Sequence, residues 1–173
     1  MYKRQEVHIS SAIASGYKYM LIVTSDEAKA RKMCDDASFF NKEAIYYPAK
    51  DAIFYSADVH GNQITGERLR CISRIINHSS TGEGVLTVVT TMDGIADRLI
   101  PVERFKEAVI TLDYSSEIEP EKLAKKLVAM GFVRTGMVED KGQFAIRGGI
   151  IDIFSYTDEA PVRIEPVSCT HLT

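Results

Sequence analysis

Three short apolar runs in the first hundred residues alternate with amphipathic segments. The runs are residues 19–24 (Tyr-Met-Leu-Ile-Val-Thr), 44–47 (Ala-Ile-Tyr-Tyr) and 85–90 (Val-Leu-Thr-Val-Val-Thr). Strands that are apolar nearly throughout are typical of a parallel sheet with both faces covered. The pattern therefore predicts an α/β unit that consists of a partial parallel sheet and flanking helices.

Two amphipathic segments between these runs predict the helices. The first begins near Ser25-Asp26-Glu27, where side-chain oxygens and negative charge favour a helix N-terminus. Its apolar positions follow at helical spacing and are Ala30, Met33, Cys34 and Ala37. The second is predicted over 67–76, with Leu69, Ile72 and Ile76 facing the core.

The pattern changes near Pro101. After an apolar run at 108–112, Pro120 predicts a helix start and Gly131 its end. Three extended runs follow at 132–139, 143–154 (broken by Gly148-Gly149) and 161–165. One helix followed by several strands predicts a smaller α+β domain with a mainly antiparallel sheet, and a boundary at about residue 105. The domains are thus expected at 1–105 and 106–165.

Composition narrows the range of functions. The chain has 173 residues, 45% of them hydrophobic and 26% charged, and a net charge of -3. An acidic balance argues against strong non-specific binding to nucleic acid, which needs clustered Lys and Arg. Cys34, Cys71 and Cys169 are too widely spaced to predict a disulfide framework or a CxxC metal site, so a cytoplasmic location is expected.

Residues for catalysis or cofactor binding are not evident. A working ATPase of this architecture needs a GxxxxGK[ST] phosphate loop, and the sequence contains none. The four histidines, at positions 8, 60, 78 and 171, lack the i, i+4 spacing of a metal pair. We therefore expect no catalytic residues, no metal and no cofactor in this chain.

The segments 143–154 and 161–165 place charged residues in a distinctive pattern. Period-2 alternation directs Phe144 and Ile146 to the core and leaves Ala145 and Arg147 on the opposite face. The same alternation directs Val162 and Ile164 inward and Arg163 and Glu165 outward. The outward group of Arg147, Arg163 and Glu165 is either a binding surface or a set of solvated charges and cross-strand ion pairs contributing only ~0–1 kcal/mol.

Four segments together resemble the amino-terminal third of the transcription-repair coupling factor (Mfd) family. They are residues 47–54 (Tyr-Pro-Ala-Lys-Asp-Ala-Ile-Phe), 89–91 (Val-Thr-Thr), 142–154 (Gly-Gln-Phe-Ala-Ile-Arg-Gly-Gly-Ile-Ile-Asp-Ile-Phe) and 161–165 (Pro-Val-Arg-Ile-Glu). The third is specific to the Mfd and UvrB families. The resemblance implies that 1–105 is a degenerate helicase-like domain without nucleotide motifs and that 106–165 is an α+β domain that binds UvrA.

The resemblance also implies site residues and partners. It assigns UvrA contacts to Arg147 and Arg163, with Glu165 beside them, whereas Val167 stands where the family has an aromatic residue. Residues 166–173 do not match the family. The longer parent protein would be an ATP-dependent DNA translocase that uses ATP and magnesium, displaces stalled RNA polymerase and binds double-stranded DNA through parts downstream.

A fragment of UvrB, the related excision-repair protein, is the alternative interpretation. UvrB carries a long aromatic-rich hairpin for clamping DNA after the position of Tyr47. Residues 56–65 (Ser-Ala-Asp-Val-His-Gly-Asn-Gln-Ile-Thr) are short and contain no aromatic side chain of that kind. This difference favours the coupling factor over UvrB.

Overall fold

A computed structural model of the chain describes residues 5–14, 16–41, 43–50, 59–81, 84–113, 116 and 118–165. The chain divides into two compact units, residues 1–99 and 100–173. Both combine helices with a β-sheet, so the mixed α/β class is confirmed. The boundary predicted near residue 105 lies within the short helix Val102–Glu107, which belongs to the second unit.

The first unit is built on a three-stranded parallel sheet. Its strands are β1 (Tyr19–Thr24), β2 (Ala44–Tyr47) and β3 (Leu86–Thr91), in the spatial order β1-β3-β2. The predicted parallel sheet is confirmed, and the first and last residues of each strand lie within one residue of the predicted positions.

Among the described residues of this unit, four helices accompany the sheet. They are α1 (Gln5–Ala14), α2 (Glu27–Ser38), α3 (Val59–Thr81) and α4 (Met92–Ala96). The predicted start of α2 is confirmed, because the Asp26 carboxylate caps it by accepting a hydrogen bond from the Lys29 backbone N–H at 2.8 Å. The helix predicted over 67–76 is longer than expected and begins at Val59, within the segment 56–65 that distinguishes the chain from UvrB.

The two large helices of the first unit pack differently on the sheet. Helix α3 contributes Cys71, Ile72 and Ile75 to a core with Ile45 and Tyr47 of β2 and with Leu86 and Val88 of β3. Helix α2 contacts all three strands and buries Ala30 and Ala37. The core stripe predicted for α2 is therefore only partly buried, since Met33 and Cys34 are intermediate in exposure.

The expectation that both faces of this sheet are covered is wrong at β1. Tyr19, Leu21 and Val23 share the α3 face of the sheet with Leu86 and Val88, yet Leu21 is 60% exposed. A helix about 10 Å across covers roughly two strands that lie ~4.8 Å apart. Because α3 packs on β2, the outer strand β1 is left largely uncovered on this face.

The second unit begins with two helices, α5 (Val102–Glu107) and α6 (Pro120–Ala129). Four strands follow: β4 (Val133–Arg134), β5 (Gln143–Arg147), β6 (Ile150–Phe154) and β7 (Val162–Ile164). They form one sheet in sequence order, in which β5–β6 and β6–β7 are antiparallel and β4–β5 is parallel. The sheet is mixed, and the antiparallel pairings are the two longer ones.

Helix α6 has the predicted ends. Pro120 is its first residue, and Gly131 follows it with φ 90°, in the left-handed region that favours glycine. The backbone N–H groups of Gly131 and Phe132 donate to the carbonyls of Val128 and Leu127, which is the Schellman arrangement. This stop turns the chain so that Phe132 joins Leu123, Leu127, Phe144 and Ile151 in the core.

Two details of the second unit differ from the sequence-based expectation. Of the extended run predicted at 132–139, only Val133–Arg134 is a strand, because the following residues fold back as a loop whose Glu139 and Asp140 N–H groups donate to the Gln143 side chain. Val162, predicted to face inward, is 50% exposed because it lies on the outer strand β7.

Candidate partner-binding site

The Gly148-Gly149 pair forms the tight turn between β5 and β6. Arg147 pairs directly with Ile150, so the loop consists of the two glycines alone. Their φ angles are 57° and 96°, and a Cβ at either position would meet no atom within 4 Å. Backbone conformation, and not lack of space, therefore requires glycine in this two-residue hairpin.

The register of the hairpin defines which side chains share its outward face. Ala145 of β5, Asp152 of β6 and Arg163 of β7 lie side by side in one cross-strand row. Arg147 lies on the same face, two residues beyond Ala145 and next to the turn. The opposite face carries Phe144 and Ile151, both fully buried in the core.

Asp152 binds both arginines. Its Oδ1 accepts a hydrogen bond from Arg163 Nε at 2.7 Å, and its Oδ2 accepts from Arg163 Nη2 at 3.2 Å and from Arg147 Nη2 at 2.7 Å. The carboxylate side chain is 12% exposed, whereas those of Arg147 and Arg163 are 51% and 56% exposed. We name these three residues the Arg–Asp–Arg cluster.

The electrostatics of the cluster follow from this geometry. The hydrogen bonds from Arg163 and then Arg147 lower the pKa of Asp152 from 3.8 to about 2. Conversely, the hydrogen bond to Asp152 raises the pKa of Arg163 above its usual value. All three groups are charged at neutral pH, so the cluster carries a net positive charge and presents guanidinium N–H groups to solvent.

The three predicted site residues have different places in this arrangement. Arg147 and Arg163 come together on one outward face through Asp152. Glu165 lies exposed, just after β7, and its charge contributes to the raised pKa of Arg163 without an ion pair between them among the described residues. Val167 and the rest of 166–173 lie outside the described residues, as does the first part of the segment at 56–65.

Asp152 was missed by the sequence reasoning. It stands within an otherwise apolar strand, Ile-Ile-Asp-Ile-Phe, and is buried at 8% exposure. A two-residue turn pairs Arg147 with Ile150, and alternation then places Asp152 on the same face as Arg147. This register was available as a signal, but only if the length of the turn was known.

Two further kinds of feature, a metal-ligand cluster and a membrane-spanning helix, do not occur in the described part of the chain. No group of three or more His, Cys, Asp or Glu residues that could hold a metal ion occurs there. The same residues include no helix long and apolar enough to cross a membrane.

Comparison with known proteins relates the chain to a repair family. Residues 110–168 match the family model of the UvrB interaction domain, a range that contains the whole four-stranded sheet and the Arg–Asp–Arg cluster. The chain is 35% identical over 150 residues to the transcription-repair-coupling factor of Bacillus subtilis, covering 86% of this chain. The resemblance to transcription-repair-coupling factors is confirmed.

Further relatives show the same pattern. The factor of Staphylococcus aureus is 31% identical over 159 residues, or 91% of this chain, and that of Staphylococcus haemolyticus is 31% identical over 150 residues. The chain spans only 12% to 13% of the length of these coupling factors. The similarity thus covers nearly all of this chain and a small part of each relative.

Proposed function

We propose that this chain is the UvrA-recruiting part of a transcription-repair-coupling factor that acts in transcription-coupled nucleotide excision repair. The observation that supports it most is the position of the Arg–Asp–Arg cluster within the match to the UvrB interaction domain. UvrB and coupling factors then share a surface for the same partner.

The geometry suits an acidic partner. Arg147 and Arg163 are each about half exposed, and each uses only part of its guanidinium to bind Asp152. Planar guanidinium groups bind carboxylates through paired hydrogen bonds, and arginine is enriched among residues that dominate binding energy. The outward N–H groups of this cluster are therefore the expected contacts with carboxylates of UvrA.

The first unit is proposed to be a degenerate helicase-like domain that does not use ATP. Its parallel sheet supports this, and its sequence has no phosphate loop. In the longer parent, ATP-driven DNA translocation and displacement of RNA polymerase belong to other parts of the protein. A calorimetric titration of this chain with ATP and magnesium is expected to show no binding, and a micromolar dissociation constant would contradict the proposal.

Calorimetry with purified UvrA tests the recruiting role. Arg147→Ala and Arg163→Ala should each weaken binding by about tenfold or more, because truncation of an anchor residue commonly costs ~2 kcal/mol. Arg134→Ala is the matched control, since Arg134 is an exposed arginine of the same sheet whose register position, opposite Phe144, places it on the other face. This variant should bind as the parent does.

Thermal melts of the same variants separate binding from stability. Removal of one arginine leaves Asp152 with the other as its remaining partner. Each single change should therefore alter the free energy of unfolding by only ~0–1 kcal/mol. Variants that melt several degrees lower yet bind UvrA as the parent does would show that the arginines are structural, and their assignment as UvrA contacts would be wrong.

A further inference from the structure

Asp152 occupies the centre of the sheet face that carries the two arginines. Its strand β6 is flanked by β5 on one side and β7 on the other, so the carboxylate lies between residues from both neighbours. A carboxylate that is 12% exposed has little room to contact a partner protein itself. The two arginine side chains that it binds are, in contrast, 51% and 56% exposed.

The way in which Asp152 binds each arginine leaves defined N–H groups outside the contact. Arg163 approaches with its Nε–Nη2 edge, which occupies both carboxylate oxygens and leaves Nη1 unused in the contact. Arg147 contributes only Nη2 to the contact with Asp152, and its Nε and Nη1 groups take no part in it. One carboxylate therefore holds both guanidinium groups.

The Asp152 carboxylate also offsets the repulsion between the two arginines. Two guanidinium groups that share one binding surface repel each other, and their long side chains lose conformational freedom when a partner fixes them. A buried negative charge between them offsets the repulsion and orders both side chains before the partner arrives. Pre-ordering of this kind increases affinity without a new contact.

We infer that Asp152 is a positioning residue for partner binding, which holds Arg147 and Arg163 as one preformed surface for an acidic segment of UvrA. The inference rests on the proposed function. It assigns to Asp152 an effect on affinity that passes through the arginines and not through a contact with the partner.

Asp152→Asn, which keeps the size of the side chain and removes its charge, is the main test. In calorimetry of the full chain with UvrA, we expect it to weaken binding by about tenfold, equal to ~1.4 kcal/mol. Glu121→Gln is the control, because it removes an exposed negative charge from α6, which packs on the opposite, core-facing side of the sheet. It should bind as the parent does.

A combined variant distinguishes positioning from a general loss of stability. Arg163 supplies two of the three hydrogen bonds to Asp152. In an Arg163→Ala background, Asp152→Asn should therefore weaken UvrA binding much less than in the parent, by about threefold or below. The reason is that the effects of substitutions at interacting residues are not additive. An undiminished tenfold cost in that background would mean that Asp152 acts independently of Arg163, and would overturn the inference.

The free chain supplies a second measurement that needs neither UvrA nor a folded variant. In nitrogen–proton NMR spectra of the parent, the Nε–H of Arg163 should exchange with solvent more slowly than that of the exposed Arg134. Equal exchange rates would show that Asp152 does not hold Arg163 in solution. This result would overturn the positioning role even if Asp152→Asn failed to fold.

The outcomes separate the inference from the proposed function. If the unaltered chain does not bind UvrA, the recruiting role itself is wrong. If the unaltered chain, Arg147→Ala and Arg163→Ala all bind UvrA equally well, the Arg–Asp–Arg cluster is not the contact surface and the positioning role is wrong with it. If those variants lose affinity while a folded Asp152→Asn variant binds normally, the recruiting role stands and the positioning role is wrong.

Discussion

Replacement of Arg68 by alanine tests how the first unit is held together at the carboxyl end of β2. The Arg68 side chain, on α3, is only 7% exposed. Its Nη1 donates to the Pro48 carbonyl oxygen at 2.7 Å, its guanidinium carbon lies 4.4 Å from the centre of the Tyr47 ring, and its Nη2 lies 3.1 Å from Asp97 Oδ2. The substitution removes all three contacts.

The expected cost follows from these contacts. A hydrogen bond to a charged group contributes ~1.5–3 kcal/mol, and a desolvated cation–π contact contributes about 1–2 kcal/mol. Loss of the ion pair adds to this cost, because Asp97 Oδ2 is buried without a hydrogen-bond partner among the described residues and would keep only Lys50 Nζ, 3.9 Å away, as a counter-charge. We therefore expect Arg68→Ala to lower the free energy of unfolding of this unit by about 3 kcal/mol.

Arg74→Ala is the matched control on the same helix. Arg74 also forms an ion pair, with Glu43, but both side chains are nearly half exposed, so its loss should cost only ~0–1 kcal/mol. Amide hydrogen exchange of β3 measures the opening free energy of the first unit separately from the second. If the opening free energies of the two variants differ by less than about 1 kcal/mol, the buried Arg68 contacts stabilise the unit no more than an exposed ion pair does, and the reasoning is refuted.

Three further predictions concern the hairpin, acid stability and the uncovered strand. Gly149→Ala should destabilise the second unit by ~1–3 kcal/mol, because φ 96° strains any residue with a Cβ; urea denaturation measures this, and a neutral effect would contradict it. The free energy of unfolding should fall as pH drops from about 4 towards 2, because the pKa of Asp152 is about 2 in the folded chain and the carboxylate is therefore protonated in the unfolded chain first. Acid titrations monitored by circular dichroism should show a smaller fall for Asp152→Asn. The chain should self-associate through the exposed face of β1, and Leu21→Lys should reduce this in light scattering, whereas a monodisperse parent would count against it.

The candidate site could be predicted from the sequence only in part. Period-2 alternation correctly put Arg147 and Arg163 on a face opposite Phe144, because strand geometry fixes which residues share a side. Alternation within one strand does not say which residues of the neighbouring strands lie alongside. The meeting of both arginines at Asp152 depended on the register across β5, β6 and β7, which is set by the two-residue turn and by the pairing of distant segments.

The same division applies to the fold. The sequence by itself determined the strands of the first unit, the start of α2 at Asp26 and the end of α6 at Gly131, because apolar runs, capping side chains and left-handed glycines act over a few residues. It did not determine that Leu21 would stay exposed, since a strand that is apolar throughout has the same pattern whether or not a helix covers it.

Burial on the outward face of the second sheet was likewise a tertiary outcome. Ala145 and Asp152 lie on the face predicted to be open, yet both are buried. Sequence patterning places a side chain on one side of a strand, whereas its exposure depends on the neighbours that long-range pairing brings beside it. Only the tertiary structure therefore decided that one buried carboxylate would hold the two exposed arginines, because its partners come from strands on both sides of it.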